Sequence, residues 1–308
     1  MAIFIDPPLW PAHGTMFSHL ISDTSLDELH AFARAAGISE RAFDGDHYDV
    51  PLHCYSELVK LGAQEVSSAT LVRLLVASGQ RIPATRRPSK VAKVLARRFD
   101  RLFPERSKED KTPLLQDLLL RWAEPHRHYH DRSHLLAVLN AIDLLERSGE
   151  SLGQFPRAVR MAAWFHDAVY RANASLLPGQ EEEDSAVLAE EMLSDFGLPD
   201  LEIAETSRLI RLSAAHDPDS ADEAGMVFSD ADLEVLGRTG PDYQRYVAAV
   251  QQEFAHVPAA AFALGRVEVL RALLKLEPLY RTRTGRDRWE AQARRNLAAE
   301  LHYREQED

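Results

Sequence analysis

Apolar positions recur at helical spacing along most of the chain, and at the spacing of short strands only near its start. Ile3–Ile5 reads as a strand stopped by Asp6-Pro7-Pro8. Ser25 to Ala36 predicts a helix, with Ser25 as its cap, Leu26, Leu29, Phe32 and Ala33 on one face, and Gly37 as its stop. A short helix over Tyr55–Leu61, a strand over Ala63–Ser67 and a helix over Ser68–Ala77 follow. This mixture predicts a small α/β domain over residues 1–84. Val91, Val94, Leu95 and Phe99 share a helical face and predict an amphipathic connector helix within a linker over residues 85–112. From Pro113 onward only helical patterns appear: Leu114–Trp122, Ser133–Arg147, Pro156–Tyr170, Glu182–Phe196, Leu201–Ala215, Ala231–Leu236, Tyr243–Phe254, Ala259–Leu276 and Arg288–Tyr303. Gly149, Gly197, Pro218, Gly237 and Pro258 punctuate them. The expected fold class is mainly α: a helical bundle over residues 113–308, preceded by a small α/β domain.

Composition agrees with two packed domains. The chain has 308 residues, 45% of them hydrophobic, which is enough to bury a sizeable core. Its formal charge is −12, which argues against a general nucleic-acid binder. The basic stretch Arg86–Lys111 departs from that trend, with ten Lys or Arg against four acids. A solvated linker is its simplest reading, and contact with RNA or an acidic partner the sharper one. The single cysteine, Cys54, can form no internal disulfide and no cysteine zinc cage. A signal-like N-terminus and a long apolar run are both lacking, so a cytoplasmic protein without a membrane partner is expected.

Candidate chemistry gathers in the helical region. His166-Asp167 lies in the apolar stretch Trp164-Phe165-His166-Asp167-Ala168-Val169-Tyr170, where an ionisable pair is costly unless something satisfies it. His134 opens a preceding helix, and Asp232 follows in Phe228-Ser229-Asp230-Ala231-Asp232-Leu233. Two imidazoles and two carboxylates suit a divalent ion such as manganese, iron, cobalt or zinc. One ion is expected, and a second would need further ligands.

These motifs resemble the HD superfamily of metal-dependent phosphohydrolases, in which a His, a His-Asp pair and a distant Asp bind metal. The spacings are 32 residues from His134 to His166 and 65 from Asp167 to Asp232. The surroundings sharpen the likeness to a predicted HD phosphohydrolase family: Tyr129-His130-Asp131-Arg132-Ser133-His134-Leu135, Glu182-Glu183-Asp184-Ser185-Ala186 and Asp230-Ala231-Asp232-Leu233-Glu234-Val235-Leu236-Gly237. The resemblance runs from about Leu114 to Leu301. It implies metal ligands at His134, His166, Asp167 and Asp232. Asp232 is favoured over Asp230 because the superfamily ligand precedes a Leu, which leaves Asp230 a supporting role. Glu182 falls at the glutamate of the family's Asn-Glu-x-x-Ser-Ala motif, although Glu181 replaces the Asn.

Around this set, Glu182, His130 and Arg127 are the candidate catalytic groups: Glu182 to accept a proton from the water or orient it, and His130 and Arg127 to contact phosphate or to support the ligands from behind. Tyr129 and His216 are candidate substrate or supporting residues; His216 also suits capping of a helix C-terminus. The implied activity is attack of metal-activated water on a small phosphorylated metabolite or nucleotide. Two alternatives belong to other classes: a nucleotide sensor without turnover, and a di-iron oxygenase in which His130, His216 and Glu182 help to hold a second ion. The oligomeric state is not legible.

The first 84 residues resemble a bacterial domain of unknown function, often found with HD phosphohydrolases. The stretches that carry this likeness are Asp6-Pro7-Pro8-Leu9-Trp10-Pro11-Ala12-His13-Gly14, Ser18-His19-Leu20-Ile21-Ser22-Asp23 and Asp46-His47-Tyr48-Asp49-Val50-Pro51. Five of the thirteen histidines lie in the first 53 residues. Asp6, His13, His19, Asp46 and His47 form a candidate ligand or metal site; loop hydrogen bonding and Asx turns are the plainer reading.

Overall fold

The computed structural model describes residues 2–81, 88–173 and 177–307. The chain divides into two compact units, Met1–Val91 and Ala92–Asp308. The expected boundary between residues 84 and 85 lies outside the described residues, as do Arg86 and Arg87 of the basic stretch.

The first unit is a small α/β domain. Its strands are β1 (Ile3–Ile5), β2 (Trp10–Ala12), β3 (Thr15–Ser22), β4 (Tyr48–Pro51) and β5 (Gln64–Glu65), with helices α1 (Leu26–Ala35), α2 (Leu52–Lys60) and α3 (Ser68–Ala77). The long strand β3 pairs antiparallel with β1, β2 and β4, while β1 pairs parallel with β5. Successive strand residues point to opposite faces. Ile3, Ile5 and Leu20 accordingly join one buried cluster with Leu29 and Ala33 of α1 and Leu58 of α2. Phe4 and Ile21 join another with Leu71 and Leu75 of α3. Strands β2, β3 and β4 are absent from the expectation. Burial on both faces removes the apolar-polar alternation that would mark β3, and the turn at His13-Gly14 has no strong hairpin dipeptide.

The second unit is helical. Its helices are α4 (Pro88–Leu102, which begins just inside the first unit), α5 (Lys108–Arg121), α6 (Arg132–Arg147), α7 (Pro156–Phe165), α8 (Gln180–Asp195), α9 (Asp200–Leu212), α10 (Glu223–Asp232), α11 (Gly240–Glu253), α12 (Ala259–Lys275), the single turn α13 (Arg283–Gly285) and α14 (Ala291–Glu307). Helix α7 is central: seven of its ten residues are buried, and α6, α8, α9 and α10 pack around it. Such all-round burial is why its sequence shows a continuous apolar run.

Helix α4 is more than a connector. Leu95 and Phe99 are fully buried, and the Phe99 ring meets Trp164 of α7 edge-on at 5.1 Å. The basic residues occupy the other face of a helix whose apolar stripe completes the core. Helix α5 begins at Lys108, capped by Ser107, so Pro113 lies inside it. Among the described residues, no helix is long and apolar enough to cross a membrane.

Candidate metal centre

Three helix ends of the second unit converge on one point. Asp131 caps α6, accepting from the backbone N–H groups of Ser133 and His134, which sets His134 in the first turn. Helix α7 ends at Phe165 and not at Tyr170 as expected, with His166 as its C-cap. The unwinding after His166 lets His166 and Asp167 face one spot, which adjacent residues of a continuous helix do less well. Asp232 is the last residue of α10.

The four side chains meet closely. The Nε2 atoms of His134 and His166 are 3.2 Å apart. Asp167 Oδ2 lies 3.0 Å from His166 Nε2 and 3.6 Å from His134 Nε2. Asp232 Oδ1 lies 3.1 Å from His134 Nε2 and 3.4 Å from His166 Nε2. His166 Nδ1 donates to the Ala163 carbonyl at 3.0 Å, which turns its Nε2 toward the cluster. Burial alone would push both carboxyls up, but the nearby imidazoles outweigh it: His166 holds Asp167 below the usual range, and His166 with His134 holds Asp232 well below. Burial likewise pulls His166 down, and the Asp167 and Asp232 charges outweigh it and raise its affinity for a proton. Two inward Nε2 atoms beside two carboxylates form a donor set that fits a divalent transition metal.

A cavity of about 210 Å³ opens over this cluster, lined among others by Tyr129, His130, Glu182, His216, Asp232 and Tyr246. His216 sits at a positive φ of 52° beyond the end of α9, its Nε2 3.6 Å from Asp232 Oδ2. Burial pushes its proton affinity down, which keeps the ring available as a neutral donor atom. Glu182 lies on the first turn of α8 and faces the cavity; burial pushes its carboxyl up and the Asp167 charge adds to the shift.

His130 is braced by a carboxylate that sequence reasoning missed. Glu253, at the end of α11, accepts from the backbone N–H groups of His128, Tyr129 and His130, each at 2.8 Å. Its other oxygen accepts from His130 Nδ1 at 2.7 Å and from the Tyr170 hydroxyl at 2.8 Å. Burial would raise Glu253, but the His130 contact and these backbone donors hold it down at about 2. One signal was available: Tyr243, Val250 and Glu253 are the buried residues of α11, so the glutamate stands on the apolar stripe.

Two expected site residues stand behind the cluster and not in the cavity. Arg127 does not line the cavity. Its guanidinium is spent on the backbone carbonyls of His130, Asp167 and Ala168 and on Glu124, so it fixes two loops and has no free edge for phosphate. Asp230 faces away from the cluster, as its position two residues before Asp232 on α10 requires. It accepts from Arg281 N–H, Thr282 N–H and the Thr282 hydroxyl at 2.6–2.8 Å. Burial pushes its carboxyl up to about 6 against the pull of those donors. A Cβ at Gly285 would lie 2.3 Å from Asp230 Oδ2, so this approach requires glycine.

In the first unit, Asp6, His19, Asp46 and His47 come together and His13 does not. His13 is exposed in the β2–β3 turn at a φ of 46°, its ring edge-on to Phe17. Asp6 is buried and accepts from His19 N–H at 2.6 Å, with its second oxygen 3.1 Å from His19 Nδ1. Asp46 bonds His47 Nδ1 at 2.5 Å and Arg81 at 3.0 Å. Asp49, absent from the expected set, completes the group, 3.3 Å from His47 Nε2 and 3.8 Å from His19 Nε2.

Residues 3–78 match the family model described as protein of unknown function (DUF4031). Neither a curated protein nor a solved structure matches the chain.

Proposed function

We propose that the second unit is an HD-type, divalent-metal-dependent phosphohydrolase acting on a small phosphorylated metabolite or nucleotide. The observation that carries this reading is the convergence of His134, His166, Asp167 and Asp232 within 3.0–3.6 Å beneath an open cavity. Those four residues would hold the ion, which when bound supplies Lewis acidity toward a phosphoryl oxygen and a more acidic water. Glu182 faces the same space with a carboxyl pushed up by burial, a suitable acceptor for a proton from the attacking water. His130, its Nδ1 tied to Glu253 and its proton affinity raised by that carboxylate against burial, is suited to donate to a phosphoryl or leaving oxygen. Leu233, Val235, Leu236, Val269 and Leu273 give the cavity an apolar wall for the organic part of the substrate.

One observation favours a second reading, a di-iron oxygenase. Asp232 Oδ1 faces His134 and His166, whereas Oδ2 faces His216, a disposition that suits a carboxylate shared by two ions. Metal content and a screen of nucleotides and phosphomonoesters with manganese, iron or cobalt separate the readings. Phosphate release that depends on metal supports hydrolysis. Two irons with oxygen consumption support the oxygenase, and nucleotide binding without turnover supports a sensor.

A further inference from the structure

We infer that the first unit carries a second metal site, built from His19, His47 and Asp49, which takes a divalent transition ion independently of the helical centre. His19 and Asp49 are directly opposed across the β3–β4 pair, and His47 stands two residues before Asp49. Asp49 lies on β4 and His47 in the bend that leads into it, so the bend, not strand alternation, brings His47 beside the other two. One donor atom from each lies within 4.8 Å of the others.

The imidazoles are oriented for ligation. Asp6 holds His19 and Asp46 holds His47, each through Nδ1, which leaves both Nε2 atoms directed at Asp49. Buried carboxylates behind metal-binding histidines serve this purpose in known metal sites, fixing the tautomer and raising ligand basicity. The His47 side chain is only 4% exposed, and its Nε2 faces Asp49 Oδ1 at 3.3 Å. An imidazole nitrogen and a carboxylate oxygen set side by side in this way, each with lone pairs to offer, suit a shared ion.

The carboxylates of Asp6, Asp46 and Asp49 surround the two imidazoles, and Arg81 pairs with Asp46. Two histidines and one carboxylate are a familiar donor set for zinc or iron(II) with positions left open. Asp49 is 44% exposed and His19 25%, so the open side faces solvent.

The test uses the full-length chain carrying Asp167→Asn and Asp232→Asn, which takes the helical centre out of play. After metal removal it is titrated with cobalt(II), followed by its visible absorption, and with zinc in competition. One equivalent is expected to bind. Adding Asp49→Asn should weaken binding by at least about 100-fold, because loss of a direct ligand exceeds the 10- to 100-fold of a supporting residue. His19→Asn should do the same, with circular dichroism and melting unchanged in at least one of the two. Failure of the Asp167/Asp232 chain to bind either ion overturns the inference. So does binding that neither added substitution weakens.

Discussion

In the helical unit, His134 and His166 are almost fully buried, and backbone geometry aims them: a helix cap places one and a main-chain carbonyl turns the other. In the α/β unit, His19 lies on β3 and His47 in the bend before β4, and buried carboxylates aim them. The first arrangement needs three helix ends and therefore a whole core; the second needs one pair of strands and two aspartates. A cluster aimed by the core is coupled to global stability, whereas one aimed by side chains can lose function with little change in fold.

The contrast can be broken at the helical cluster first. Asp167→Asn or Asp232→Asn should lower metal affinity and phosphate release by more than about 100-fold, beyond what a supporting residue costs. Metal analysis of the dialysed variants checks this, and full occupancy would remove the residue from the ligand set. Phe99→Ala comes next. It empties a fully buried site against Trp164 and should cost about 3–5 kcal/mol in urea unfolding. By the same argument a fragment beginning at Pro113 should be molten, while one beginning near Lys90 retains Leu95 and Phe99 and should fold. Equal stability of the two fragments would return α4 to the role of a linker.

Glu253→Gln tests the brace behind His130 and should cost about 1–3 kcal/mol, the penalty for leaving buried donors poorly matched. It also predicts a pH effect of definite sign. Glu253 is held at about 2 in the fold. An unfolded glutamate titrates near about 4.3, so as pH falls the unfolded chain takes the proton first. The stability Glu253 provides is therefore complete above about pH 5 and is lost between there and about pH 2, by about 3 kcal/mol at most. The variant should show a shallower acid slope; an unchanged slope would show that Glu253 is not a source of acid sensitivity. The smallest effect on the metal is expected from Asp230→Asn. It should loosen the Arg281–Thr282 turn and leave ion content intact, so metal loss in this variant would reverse the two aspartates of α10.

What the sequence made legible follows from how far each feature depends on distant partners. Capped, amphipathic helices such as α1 and α6 are local, and their positions were close to the predicted ones. Strand β3 was not, because helices cover both of its faces, α1 and α2 on one and α3 on the other, and erase the alternation. The four candidate ligands were legible through their motifs, and the fold brings them together. Arg127 stayed between a phosphate contact and a supporting one, because an arginine beside histidines looks the same whether its guanidinium meets phosphate or backbone carbonyls. Glu253 went unnamed because it acts through a loop more than a hundred positions earlier, and Asp49 stayed outside the candidate set because only the pairing of β3 with β4 brings it to His19.

The central claim is that the helical cluster holds a divalent ion that serves phosphoester hydrolysis. Its most direct test is phosphate release by the metal-stripped full-length chain, titrated with manganese, iron or cobalt beside Asp232→Asn and Asp49→Asn. The account predicts that activity returns with metal in the parent and in Asp49→Asn and stays absent in Asp232→Asn. Metal-independent phosphate release, or full activity in Asp232→Asn, would contradict it.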